Sequence, residues 1–210
     1  MTPTTSTEAP RKPAVRDVLI YPDGPLFERS EPIVFGSPDC YETPWGQTSL
    51  SQLAEDLVET VKYYKAAGIS AVQVGALYRV IVIMDDKTPL VMVNPTWTAD
   101  SKDVFDFDEG CLSFPGIVEK VSRSIDVTAR YYDFDGKIVL RSLTGIPAQC
   151  VQHECEHLDG RLFIEHLPLT TRDSIRMKLK KAKRMAAKME KARAQQPKMF
   201  QRGVAPKRVR

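Results

Sequence analysis

The stretch that decides how this chain is read is Gln152-His153-Glu154-Cys155-Glu156-His157-Leu158-Asp159-Gly160. It closes a segment, residues 144–159, whose pattern predicts a helix. Pro147 falls in the first turn, where its missing N–H is harmless, and Gly160 stands where a C-terminal stop belongs. His153 and His157 are four residues apart, so one turn stacks both imidazoles on one face. Both can then reach a single metal ion at about 2.0–2.1 Å. Glu154 projects beside them, where a carboxylate can manage the proton of a water on that ion.

Two histidines do not make a catalytic site, which needs a third ligand and an open position. In an HxxGxxH continuation the third histidine would fall at Phe163, which cannot ligate, and Glu165 is too near to serve as a distant carboxylate ligand. His166 would have to fold back across Leu162-Phe163-Ile164. Cys155, two residues from each histidine, is poorly placed on the helix to join them. Cys111, within Glu109-Gly110-Cys111-Leu112-Ser113, is the better donor. The preceding glycine lets the backbone approach closely, and a metal-held thiolate is deprotonated outright. Taken alone, such a cysteine is more often a small buried apolar side chain.

Outward from this helix, residues 49–64 read as an amphipathic helix, with Leu50, Leu53, Leu57, Val61 and Tyr64 at spacings of three and four. Ser49 and Gln52 suit a capping box at its start. Between Gly68 and Leu143 the pattern turns to strands at 78–84, 90–93, 118–121, 125–132 and 137–140. The run VLIYPDGPLF at 18–27 suggests a further short strand, and 36–47 a Pro/Gly-rich insertion. A third helix is predicted over 171–193. The fold class expected is α+β, with mixed or antiparallel sheets around a central metal-binding helix and a basic C-terminal helix. The organisation expected is a disordered leader at 1–16, a catalytic domain at 17–170, and a basic helix and tail at 171–210.

Composition narrows the setting. With 42% hydrophobic and 27% charged residues, the chain suits an ordinary globule. No apolar run approaches the roughly 18 residues of a bilayer span. The first sixteen residues lack a secretory apolar stretch, and Pro3, Pro10 and Pro13 oppose an amphipathic targeting helix. Cys40, Cys111, Cys150 and Cys155 form no CxxC pair and read as reduced thiols. A cytoplasmic setting is therefore expected, an organelle stroma or matrix or a virus-infected cell being compatible. Residues 171–210 hold fifteen Lys/Arg against Asp173 and Glu190, a net of +13, whereas the rest of the chain carries fifteen basic and 25 acidic groups, a net of −10. Such an arm suggests a polyanionic partner.

Three segments together resemble the peptide deformylase family. Its motif GxGΦAAxQ appears as Ala66-Ala67-Gly68-Ile69-Ser70-Ala71-Val72-Gln73, EGCLS is intact at 109–113, and QHExDHLxG appears at 152–160. VLIYPDGPLF also resembles the family's N-terminal strand, so the likeness runs over about residues 18–185. This chain departs from the pattern at Ala66, at Ser70 and at Glu156, where a longer acid replaces an aspartate that could orient a ligand.

The resemblance implies one divalent ion on Cys111, His153 and His157, natively Fe²⁺, with Zn²⁺, Ni²⁺ or Co²⁺ able to substitute. The donor set alone suits Fe²⁺ and Zn²⁺ equally. It further implies hydrolysis of the N-formyl group from the N-terminal formylmethionine of nascent peptides by a metal-bound hydroxide. Glu154 would be the general base and then acid, with Gln73 and the Leu112 N–H on the oxyanion. A methionine slot is expected along Ile69, Ile146, Cys150 and the edge of His153, with Gln149 close by. The peptide backbone is expected to add as a strand against Gly68 and Gly110. The basic helix would contact ribosomal RNA, and a monomer is expected. Two rivals are an HExxH metalloendopeptidase and an RNA-binding protein with a structural metal.

Overall fold

The computed structural model describes residues 11–36 and 40–195. Its centre is β4 (Val80–Asp85), whose first four residues are all buried. An unbroken apolar run of this kind marks a strand covered on both faces. Val80 and Val82 pack with Leu53, Leu57 and Val61 of α1 (Leu50–Tyr64). Ile81 and Ile83 face the other way, onto Ala148, Val151, Cys155 and Leu158 of α2 (Ile146–Leu158). Each such fully buried side chain contributes about 1.5–3 kcal/mol.

The sheet around it has five strands in the order β3-β4-β5-β8-β9, comprising β3 (Gly68–Ser70), β5 (Thr88–Ala99), β8 (Asp126–Tyr132) and β9 (Ile138–Thr144). Every ladder is antiparallel, so of the mixed or antiparallel sheets expected, the structure has antiparallel ones. A separate hairpin, β6 (Val104–Gly110) with β7 (Val118–Ser124), leads into and out of the Cys111 turn. A short hairpin, β1 (Tyr41–Thr43) with β2 (Gly46–Thr48), occupies the end of the insertion.

Helix α1 is capped by Ser49, whose side chain accepts from the Gln52 N–H. The reciprocal half of the expected capping box is absent, because the Gln52 amide turns to Asp56, 3.3 Å away. Helix α2 ends at Leu158, and Gly160 takes φ +71°; a Cβ there would lie 2.6 Å from the Phe27 carbonyl oxygen. α3 (Leu169–Gln195) docks through Ile175 and Leu179, which join Phe114, Val121 and Phe163 in a third apolar cluster. The apolar stripe thins thereafter, since Met185 and Met189 are exposed.

Two expectations are corrected. The run 18–27 forms no strand; its first residues are an irregular thread that turns at 21–22 into a 3-10 helix at Gly24–Phe27, and the Leu19 N–H donates to the Gln73 carbonyl and the Tyr21 N–H to the Ser113 carbonyl. It ties two motif loops together instead of joining a ladder. Nor is the leader loose throughout. Its first ten residues lie outside the described residues, but Arg11 and Arg16 both pair with Asp56, and Arg16 lies over the Trp45 ring at 4.1 Å. Asp56 is fully buried, and a buried carboxylate without countercharge would be costly, which explains the attachment.

Candidate metal centre and substrate cavity

α2 presents His153 and His157 one turn apart, with ring centroids 4.9 Å from each other. The turn after β6 brings Cys111 Sγ to 3.3 Å from His157 Nε2. Among the described residues, Cys111, His153 and His157 form a group whose ligand atoms lie within 4.8 Å of one another. Donors at 2.3 and about 2.0–2.1 Å from a tetrahedral ion stand roughly 3.6 Å apart, so the set fits a metal with little adjustment. His153 Nδ1 lies 2.5 Å from Glu109 Oε1, which leaves Nε2 as its ligand atom. Burial lowers the His153 pKa, yet bonding to Cys111 and Glu109 and the nearby Glu154 charge raise it well above the ordinary value. His157, in the same cluster, is held well below its ordinary value by burial and the charge of His153.

Cys150 and Cys155 are not part of the Cys111, His153 and His157 group. Burial pushes Cys155 up to about 12 and Cys150 well above the usual thiol range, and Cys155 points at the Pro95 carbonyl. His166 turns away from the cluster, toward Glu156.

Glu154 is buried, with Oε2 unpaired among the described residues. Burial pushes its pKa up to about 7, against the charge of His153. Gln73 is fixed by the residue at which the first motif departs: the Ser70 N–H and hydroxyl donate to its Oε1 at 3.0 and 3.2 Å. Its Nε2 is thereby turned toward Cys111 Sγ, 3.4 Å, and Ser113 Oγ, 3.2 Å. Glu156 does not touch a metal-site histidine. It bonds Arg123, which grips Glu109, so its influence on His153 is indirect.

The site opens into a cavity of about 540 Å³ lined by Gly68, Gln73, Gly110, Cys111, Leu112, Gln149, Cys150, His153 and Glu154, with Val18, Ile20, Lys65, Ile117 and Val118 farther out. Gly68 is required there, because a Cβ would collide with Cys150 Sγ and stand 3.0 Å from Glu154 Oε1. Two residues expected along a methionine slot lie elsewhere. Ile69 is fully buried in the cluster under α1, since successive strand residues face opposite ways and Gly68 takes the cavity side. Ile146 begins α2 and is 60% exposed. Arg123 and Glu109 were given no role by sequence reasoning, although the two stand on facing strands, β7 and β6.

This arrangement, a buried two-histidine helix, a cysteine from a neighbouring turn and a carboxylate beside an open cavity, is that of a metal-dependent hydrolase. Residues 15–173 match the family described as polypeptide deformylase. A peptide deformylase from Caulobacter vibrioides is 42% identical over 142 residues, covering 65% of this chain and 82% of the relative. One from Nitrobacter hamburgensis is 33% identical over 83% of this chain and 99% of its own length. The crystal structure of a peptide deformylase from Legionella pneumophila superposes with a TM-score of 0.70 at 32% identity, covering 88% of this chain and all of that one (100%). The chain belongs to the polypeptide deformylase family.

Proposed function

We propose that the chain hydrolyses the N-formyl group from the N-terminal formylmethionine of nascent peptides, releasing formate and a free amine. The observation that carries the assignment of roles is the convergence of Cys111, His153 and His157 beside Glu154. A divalent ion on those three donors would supply Lewis acidity and make water nucleophilic at neutral pH. Glu154 takes the proton of the attacking water and returns it to the nitrogen as the formyl C–N bond breaks. A carboxyl poised near neutrality can do both. Gln73 Nε2, aimed by Ser70, and the backbone N–H of Leu112 stabilise the charge that gathers on the formyl oxygen.

Gly68 and Gly110 both line the cavity, and we assign them to backbone contact with the peptide. Cys150, Gln149 and the His153 ring would flank the methionine side chain. Fe²⁺ is the native ion we propose, on the strength of the family resemblance, with Zn²⁺, Ni²⁺ and Co²⁺ able to substitute. Metal analysis after anaerobic purification tests this choice.

The test of the function is formate release from formyl-Met-Ala-Ser by metal-loaded wild type and Glu154→Ala. Release by the wild type and its loss in the variant, with metal retained, are expected; undiminished release by the variant would overturn the role of Glu154, and no release by loaded wild type would overturn the activity.

We further propose that the distal half of α3 contacts ribosomal RNA and that the protein acts as a monomer. Residues 184–210 hold nine of the arm's fifteen basic residues, while Ile175 and Leu179 belong to the body. Removing 184–210 should abolish ribosome co-sedimentation, itself steeply salt-dependent, and leave deformylation of free peptides intact; unchanged binding would refute RNA contact. No helix among the described residues is long and apolar enough to cross a membrane.

A further inference from the structure

Glu156 replaces the aspartate of the family motif, and its longer arm has a partner of its own. His166 Nε2 lies 2.7 Å from Glu156 Oε1, with the ring 31% exposed. Glu156 grips Arg123 Nη1 and Nη2 at 2.7 and 3.0 Å. Arg123 grips Glu109 at 3.0 and 2.8 Å, and Glu109 reaches His153 Nδ1. An unbroken series of polar contacts thus runs from a ring in the metal cluster to a histidine at the surface.

The direction of the outermost bond follows from chemistry. Arg123 Nη1 is also 3.2 Å from His166 Nε2. A guanidinium offers only hydrogens and a carboxylate only acceptors, so Nε2 cannot serve both. The shorter contact is to Glu156; Nε2–H therefore donates there, and Arg123 Nη1 donates to the same oxygen. Two donors converge on Oε1. Glutamate has one more torsion than aspartate, and ordering it costs correspondingly more entropy. Without the second donor only Arg123 holds the carboxylate, through its two oxygens, and the longer arm is less firmly ordered against it.

We propose that His166 is a positioning residue for the metal centre, acting through Glu156 and Arg123 to hold Glu109 and so fix the tautomer and orientation of His153. The inference rests on the metal site assigned above but concerns metal retention, not deformylation.

The test is Co²⁺ affinity by chelator competition, followed through the visible bands of the thiolate-bound ion, for wild type, His166→Phe and His166→Gln. Glutamine places an N–H where Nε2 stands; phenylalanine keeps the ring and loses the donor. His166→Phe should weaken Co²⁺ binding about 3–10-fold, less than the 10–100-fold typical of a direct partner of a ligand, and shift the bands, while His166→Gln stays within about twofold of wild type. The effect should also vanish in a Glu156→Asp background, whose shorter arm needs no such partner. Wild-type affinity in His166→Phe, or equal weakening in both variants, would overturn the proposal. A wild type with no thiolate–cobalt band would instead overturn the metal-site reading beneath it.

Discussion

On one side of His153 the polar groups are bonded in series; on the other they are left open to a cavity. Behind the ring, Glu109 and Arg123 are both buried and doubly bonded to each other. Burial works to raise the Glu109 pKa, but bonds from His153 and Arg123 overcome it and hold the carboxyl well below its usual range. In front, Glu154 is buried with Oε2 unpaired and its pKa is pushed up to about 7. An unpaired buried polar group costs about 1–3 kcal/mol, which makes sense where a reacting molecule completes the bond. Behind His153 the Glu109–Arg123 pair is bonded and fixed, although His157 Nδ1 has no hydrogen-bond partner among the described residues; in front, Glu154 keeps an oxygen open beside the cavity.

That contrast can be broken, beginning with the largest effect expected. Glu154→Ala should lower formate release about 10²–10⁴-fold with metal content unchanged, and a parallel loss of metal would show that the two sides are not separate. Gln73→Leu should lower kcat about 10²–10³-fold, the usual loss on removing an oxyanion donor; Ser70→Ala, which loosens Gln73, should give a smaller loss in the same direction. Behind the ring, Glu109→Gln should weaken metal affinity about 10–100-fold, while kcat per bound metal changes little.

The two carboxyls should also answer pH with opposite signs in the metal-free protein. Glu109 has a lowered folded pKa, so its contribution to stability is present above its ordinary value of 4.5 and is lost as pH falls toward the lowered one. Glu154 has a raised one, so its contribution is present below 4.5 and is lost as pH rises to about 7. Thermal unfolding of chelated wild type, Glu109→Gln and Glu154→Gln should show both variants approaching wild type at low pH, with Glu109→Gln falling below it and Glu154→Gln rising above it as pH increases; departures of the same sign would contradict the contrast. The smallest effect belongs to the rim, where Gln149→Leu should raise kcat/KM for formyl-Met-Ala-Ser by about tenfold or less, the lower end of what one apolar pocket contact is worth.

Much of this was legible before any coordinates. The three- and four-residue spacings of α1, the apolar run of β4 and the stop at Gly160 act locally, and each appears close to its expected place. Strands β3 and β6 were missed for physical reasons. Gly68-Ile69-Ser70 is too short to show a period, and in Val104–Gly110 the acidic Asp106, Asp108 and Glu109 hide the strand signal. Glu109, Arg123, Glu156 and His166 are spread over 58 positions, so only folding brings them together. Asp56 is buried with countercharge from Arg11 and Arg16, 45 and 40 positions away, a pairing that no local pattern announces. The run at 18–27 has strand composition, yet its bonds go to two loops, a long-range outcome that composition does not encode.

Everything turns on which atoms hold the metal. X-ray absorption at the edge of the bound ion, on protein loaded with one equivalent, counts those atoms directly. One sulfur at about 2.3 Å together with two imidazole nitrogens at about 2.0–2.1 Å is the result predicted. A shell of nitrogen and oxygen alone would place Cys111 outside it and contradict the account.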